Sequence, residues 1–151
     1  PHPRVGLRLP PLTLPVTTRL IGMGATASRG WQPQHHDPAA ATAAGLPGII
    51  MNNYTQAGLI SRYVTDWTGP RGRIGRLRFS MKRPLCPGAD AVLQGVVVDL
   101  IPQGAGLLWA EIDIEIAANG SVATSASVRV ALPPEPGSPS PWQCPPADWT
   151  P

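Results

Sequence analysis

The 151-residue sequence predicts an α+β fold in which a curved antiparallel sheet wraps around a central helix. Three observations lead there. A long segment, Ile49 to Val64, carries apolar residues at helical spacing; four later segments alternate with period two; and the order along the chain is strand, polar loop, helix, four strands. A helix with one apolar stripe can be buried by four half-wet strands only if the sheet curls over it.

Residues 1–12, PHPRVGLRLPPL, are too rich in proline for regular structure and read as an extended arm. The folded domain is expected over residues 13–132. Thr13 to Ile21 is β-branched and reads as a strand, with Pro15 marking an edge, and Gly22 to Ser28 as a helical turn. Asp37 precedes Pro38 in the pattern of an N-cap followed by a first helical position, so Ala39 to Ala44 should be a short helix ended by Gly45. In the long helix, Ile49, Ile50, Tyr54, Ala57, Ile60 and Val64 form the stripe, and Pro47-Gly48 punctuate its start.

Beyond Asp66-Trp67-Thr68-Gly69-Pro70 the period changes to two. Arg76 and Arg78 alternate with Leu77, Phe79 and Met81, with Gly72 and Gly75 as candidates for a bulge. Strands follow over Ala91–Ile101, Leu107–Ala117 and Ser121–Leu132. In the middle one Glu111, Asp113 and Glu115 define a wet face and Ile112, Ile114 and Ile116 a buried one. Asn119-Gly120 is a hairpin turn, since both residues accept positive φ. Residues 133–151 can neither pair into a sheet nor continue a helix, and form a tail ordered only if Trp142 or Trp149 docks on something.

Composition narrows the function classes. Six of the twelve basic residues lie between Arg71 and Arg83, but without clustered aromatics or a nucleic-acid motif, which argues against a nucleic-acid partner. No apolar run is long enough to cross a membrane, and no secretory leader is visible. Cys86 and Cys144 stand apart with no CxxC pair, as expected of free thiols in a cytoplasmic protein.

The chemistry concentrates in Ser28 to Asn53, SRGWQPQHHDPAAATAAGLPGIIMNN. His35 and His36 are two of only three histidines, and no cysteine or second carboxylate lies at metal-ligand spacing, so an acid–base role is better motivated than a metal site. Asp37 is a second candidate, in competition with its capping role. Trp31 suits either a pocket wall or an interface. Asn52 and Asn53 at the helix start could bond a ligand carbonyl or merely satisfy local backbone groups. Arg62 is expected to pair with an acid, and Asp66 with an arginine.

The polar loop, the Gly turn and the following helix resemble the MaoC-like hydratase family, whose fold is the hotdog. The resemblance covers about residues 12–132. It is closest to the small subunits of actinobacterial two-component enoyl-CoA hydratases of steroid side chains, through His35-His36-Asp37, Arg62-Tyr63-Val64-Thr65-Asp66-Trp67 and Gly69-Pro70. It implies addition or removal of water on an α,β-unsaturated acyl thioester, with no cofactor. An Asp and a His would activate the water, and amides at the helix start would polarise the thioester carbonyl. Carried over by position, His35 matches the family histidine, and amides from Met51 to Asn53 the carbonyl-binding set. The family Asp, five residues before the histidine, is here Gly30.

Three readings follow from that departure. One is a hydratase or dehydratase with His35 as base, in which Asp introduced at Gly30 would raise hydration. Another is a ring-forming enzyme on a polyketide-like substrate, whose own hydroxyl or diene replaces water. The third is a non-catalytic subunit that completes a partner's channel. The resemblance also implies a homodimer or a heteromer with a second hotdog chain.

Overall fold

The computed structural model describes residues 2–151. Strand β1 (Leu12–Pro15) is followed by helices α1 (Thr18–Ala27), α2 (Pro38–Ala43) and α3 (Asn53–Thr68), then by strands β2 (Arg73–Met81), β3 (Asp90–Gln103), β4 (Leu107–Ala118) and β5 (Ser121–Leu132). All neighbours in the sheet order β1-β3-β4-β5-β2 run antiparallel.

Two elements differ from the expected ones. The strand expected over Thr13 to Ile21 ends at Pro15, because the Thr17 side chain accepts the Leu20 N–H at 3.0 Å and caps α1. A local cap thus overrides the β propensity of the run, and the buried Ile21 and Ala25, four apart, seat the helix. The long helix starts four residues later than expected. Ile49 and Met51 are buried in an irregular run before the helix, the Met51 N–H donates to Leu85 O at 2.9 Å, and Asn52 caps α3. The inward stripe is therefore Gln56, Leu59, Ile60, Tyr63 and Val64, while Tyr54 is exposed.

That stripe lies in the concave face of the sheet, in one core with Leu93, Val97, Ile112, Ile114, Ile116, Val128 and Val130. Tyr63 reaches across to Leu9 O at 3.4 Å, and its ring packs closely on Gly95, where a Cβ would stand 3.0 Å from Tyr63 Cε1. Burial raises the phenol pKa above its ordinary value, against a smaller lowering from the Gly95 backbone. The N-terminal arm lies along β3, with Gly6 N–H bonded to Val97 O and Leu9 N–H to Gly95 O.

The hairpin between β4 and β5 turns through Asn119 and Gly120, with φ of 53° and 75°, the positive pair that suits the right-handed twist of the strands. The β2 ladder slips between Ile74 and Arg76, which makes Gly75 the bulge. Both cysteines are free, and among the described residues no helix is long and apolar enough to cross a membrane.

The tail docks on the convex face. Leu107, Trp109 and Ala131 would leave an apolar patch there, and Cys144 and Trp149 pack against it, the Trp109 and Trp149 ring centroids 4.9 Å apart. The Arg73 guanidinium lies 3.7 Å from the Trp149 ring centroid and 5.1 Å from that of Trp142, whose indole N–H donates to Gly72 O at 3.0 Å. Arg71 donates to Pro136 O and Ser138 O. At Gly75 a Cβ would collide with Pro151 and Trp109. Proline-rich chain has little entropy left to lose, so a few such anchors suffice to order it. Trp149→Ala should lower stability by about 1–2 kcal/mol, the size of a partly buried ring and its cation–π contact. Limited proteolysis should then cut the chain beyond Leu132.

Candidate active site

His35 sits in a 3₁₀ turn, Pro33–His35, and is the inward-facing member of its pair: 6% exposed, against an exposed His36. Two hydrogen bonds fasten the turn to the segment before α3. The Ile50 N–H donates to Gln34 O at 3.1 Å, and Ile50 O lies 2.8 Å from His35 Nδ1. A carbonyl oxygen can only accept, so Nδ1 carries a proton, and Nε2 is the nitrogen left for acid–base exchange. Among the described residues no buried side-chain nitrogen or oxygen lacks a partner. Nε2 bonds nothing among the described residues, so it accounts for part of the ring's remaining exposure.

Asn52 ties the other half of the site together. Its Oδ1 accepts from Thr55 N at 2.9 Å and from Thr55 Oγ1 at 2.6 Å, capping α3. Its Nδ2 donates to Ser28 Oγ at 2.8 Å, and Ser28 Oγ donates in turn to Gly24 O at 2.7 Å. Gly30 lies against this amide: a Cβ at position 30 would stand 2.6 Å from Asn52 Nδ2. The side chain that Gly30 lacks would therefore project into the space that the Asn52 carboxamide fills. Aspartate at position 30 cannot be introduced unless Asn52 moves.

At the start of α3 the Thr55 N–H is spent on Asn52 Oδ1 and the Gln56 N–H on Asn52 O. The amides of Asn53 and Tyr54 have no partner among the described residues, as is usual for a first helical turn. They carry the positive end of the helix dipole and are free to receive an oxygen. Met51 drops out of this set, because its N–H is bonded to Leu85 O and its side chain is buried. Asp37 caps α2, with Oδ1 accepting from Ala39 N at 3.0 Å and Ala40 N at 3.3 Å. Trp31 and Tyr54, 64% and 63% exposed, are each within two residues of the Gly30–Asn52 contact, and Arg29 stands over the Trp31 ring at 5.9 Å. Arg62 pairs with Asp66 at 3.5 Å on the exposed side of α3, away from this chemistry.

The arrangement offers one unpartnered imidazole nitrogen, free amides at the start of α3 and no carboxylate in the place of residue 30. Sequence reasoning missed Ser28 and the Ile50 carbonyl. A serine in a small-residue run and a backbone oxygen carry no signature of such a role.

The sequence profile of the MaoC like domain matches residues 8–106. The chain belongs to the MaoC-like family. Over 70 residues, 46% of this chain and 54% of the relative, it is 44% identical to the 3-oxo-4,17-pregnadiene-20-carboxyl-CoA hydratase beta subunit of Mycobacterium tuberculosis. The match thus spans about half the length of that curated relative. Among solved structures it is similar to a chain of the ChsH1-ChsH2 complex of M. tuberculosis, with TM-score 0.80 and 29% identity over 87% of this chain and 99% of the other. The R-hydratase PhaJ1 of Pseudomonas aeruginosa aligns with TM-score 0.77 and 19% identity, over 87% of this chain and 83% of that one, a likeness of fold. The five-stranded antiparallel sheet around α3 is a MaoC-like hotdog.

Steric coupling of residues 30 and 52 can be measured directly. Gly30→Ala should cost about 1–2 kcal/mol, the worth of the cap it displaces. Asn52→Ser keeps a capping oxygen on a shorter side chain, so it should absorb most of that cost in the double variant. Thermal unfolding of the cycle checks this, and strictly additive losses would contradict the contact.

Proposed function

We propose that this MaoC-like chain is a lyase subunit that adds water to, or removes it from, a bulky α,β-unsaturated acyl thioester, with His35 as the acid–base group. The observation that carries the reading is the bond from Ile50 O to His35 Nδ1–H, which leaves Nε2 as the ring nitrogen without a partner among the described residues. In hydration, the oxygen of a water molecule attacks the β-carbon while Nε2 takes its proton. The electron pair of the double bond moves toward the thioester oxygen, which the free amides of Asn53 and Tyr54 receive. The imidazolium then returns the proton to the α-carbon, which completes addition of water across the bond. The exposed rings of Trp31 and Tyr54 supply apolar surface for a large acyl group. The 3-oxo-4,17-pregnadiene-20-carboxyl-CoA hydratase beta subunit supports this class of substrate by its likeness.

One observation favours a second reading. With Gly30 and the Asn52 carboxamide in the place of an acid, no carboxylate helps His35 to hold a water. Ring closure needs no such water, since a hydroxyl of the substrate attacks in its stead and His35 removes its proton in the same way.

The partner is a second hotdog chain. Strand β2 is an edge strand with one side unpaired, and such an edge invites pairing. The ChsH1-ChsH2 complex, similar to this chain in one of its members, supports a heteromer over a homodimer.

His35→Ala should lower turnover of an enoyl thioester, or of a ring-closing substrate, by about 10²- to 10⁴-fold, while His36→Ala stays within about twofold. Product analysis by mass spectrometry separates the two reactions, since hydration adds the mass of water and ring closure adds none. Equal activity of wild type and His35→Ala would leave the chain a non-catalytic subunit. Light scattering should give a mass above the 15.9 kDa of one chain, alone or with a second hotdog protein; a monomer under both conditions contradicts the assembly.

A further inference from the structure

Strand β2 differs from its neighbours on both of its faces. The register assigns the faces: Leu77 stands opposite Val128 and Phe79 opposite Ala126 on the concave side, Arg76 opposite Arg129 and Arg78 opposite Ser127 on the convex side. On the inner strands the concave row is closed, with Ile112, Ile114, Val128 and Val130 fully buried. On β2 it is unfinished, since Leu77 and Phe79 are half-buried and Met81 is 51% exposed. The outer edge of β2 pairs with no strand among the described residues. Trp142, 62% exposed, is fastened beside the start of this edge by its bond to Gly72 O. An open backbone edge, an unfinished apolar row and an exposed tryptophan mark a surface that another chain covers.

The convex side specifies the chemistry of that chain. Residues 71–88 carry six cations and no carboxylate. Arg71 and Arg73 are engaged by the tail. Arg76, Arg78, Lys82 and Arg83 enter neither ion pair of the described residues, Arg62–Asp66 and Arg129–Glu111. Asp113 and Glu115, on the same face, stand on β4 opposite Ser127 and Ser125 of β5. Two strand spacings, about 10 Å, separate them from β2, a full screening length at ordinary ionic strength.

A second copy does not fit this edge. Antiparallel pairing of β2 with itself about a two-fold axis overlaps most when centred on Leu77, which sets Arg76 opposite Arg78 twice. A slide of two residues sets Arg76 or Arg78 opposite itself, and a slide of one turns the apolar row to the wrong side. Like charges directly opposite destabilise a strand pair.

We propose that the β2 edge docks an edge strand of a different chain, with carboxylates on the convex face opposite Arg76 and Arg78 and apolar side chains on the concave face beside Leu77, Phe79 and Met81. The basic row thereby selects an acidic partner and rejects a second copy. The proposal deepens the second-hotdog reading above and rests on it.

The full chain carrying both Arg76→Glu and Arg78→Glu is the acidic probe. Mixed with the wild type at low salt, it should form a 1:1 species of twice 15.9 kDa in sedimentation velocity, with a dissociation constant at least about tenfold below that of either chain alone. Salt at about 0.5 M should remove most of that difference. Amides of residues 76–81 should exchange more slowly in the mixture than in the wild type alone. Arg76→Glu by itself makes the edge self-complementary, because the new carboxylate meets Arg78 of a second copy, and this variant should dimerise unaided at low salt; a monomer contradicts the proposal. A wild type that dimerises alone, with those amides protected at every salt concentration, overturns the selection of an acidic partner and leaves pairing through β2 standing. Amides of residues 76–81 that exchange equally fast in every mixture overturn the proposal and the β2 pairing with it.

Discussion

The Asn52 carboxamide is the contact on which the site depends. Its oxygen closes the first turn of α3, its nitrogen reaches Ser28 at the end of α1, and its face fills the space beside Gly30. One side chain thus sets where α3 begins, how α1 lies against it and what stands at position 30. Capping accounts for all three roles. A helix end left uncapped in a half-buried setting loses roughly 1 kcal/mol, so the amide is held at Thr55 and everything else adjusts around it.

The same geometry explains how the His35 ring is oriented although no carboxylate bonds it. A backbone carbonyl does that work. Ile50 lies two residues before the cap, so the position of its oxygen follows from the start of the helix, and the protonation of Nδ1 follows from that oxygen. The amides left free in the first turn come from the same cap, which spends the Thr55 N–H and spares those of Asn53 and Tyr54. The oriented imidazole and the free amides are two consequences of one helix terminus.

The convex face follows a different logic. A sheet that wraps a helix buries its concave side, and its other side is normally wet; Arg129 pairs with Glu111 there in keeping with that rule. Leu107, Trp109 and Ala131 break it, and the Pro-rich tail covers them through Trp149. The bulge at Gly75 fits this docking, since the missing side chain leaves room for the tail and the Trp109 ring.

Period-two and helical spacing, turn chemistry and short-range caps were written in the sequence. They determined the order of the elements, the bounds of β3, β4 and β5 to within two residues, the Asn119-Gly120 hairpin, the Asp37 cap of α2 and the Arg62–Asp66 pair, because each depends on residues a few positions apart. His35 was singled out by the motif. Its fastening to Ile50 O was not, since a backbone oxygen has no residue type to betray it. Helix α1 and the later start of α3 were misjudged where a single cap outweighed a run of β-branched or apolar residues. The apposition of Gly30 to Asn52, the Gln56–Thr124 pair and the docking of the tail were decided by the tertiary structure alone. Contacts across 22 or 68 residues depend on the curvature of the sheet and the register of its strands, and local pattern in a single sequence carries neither.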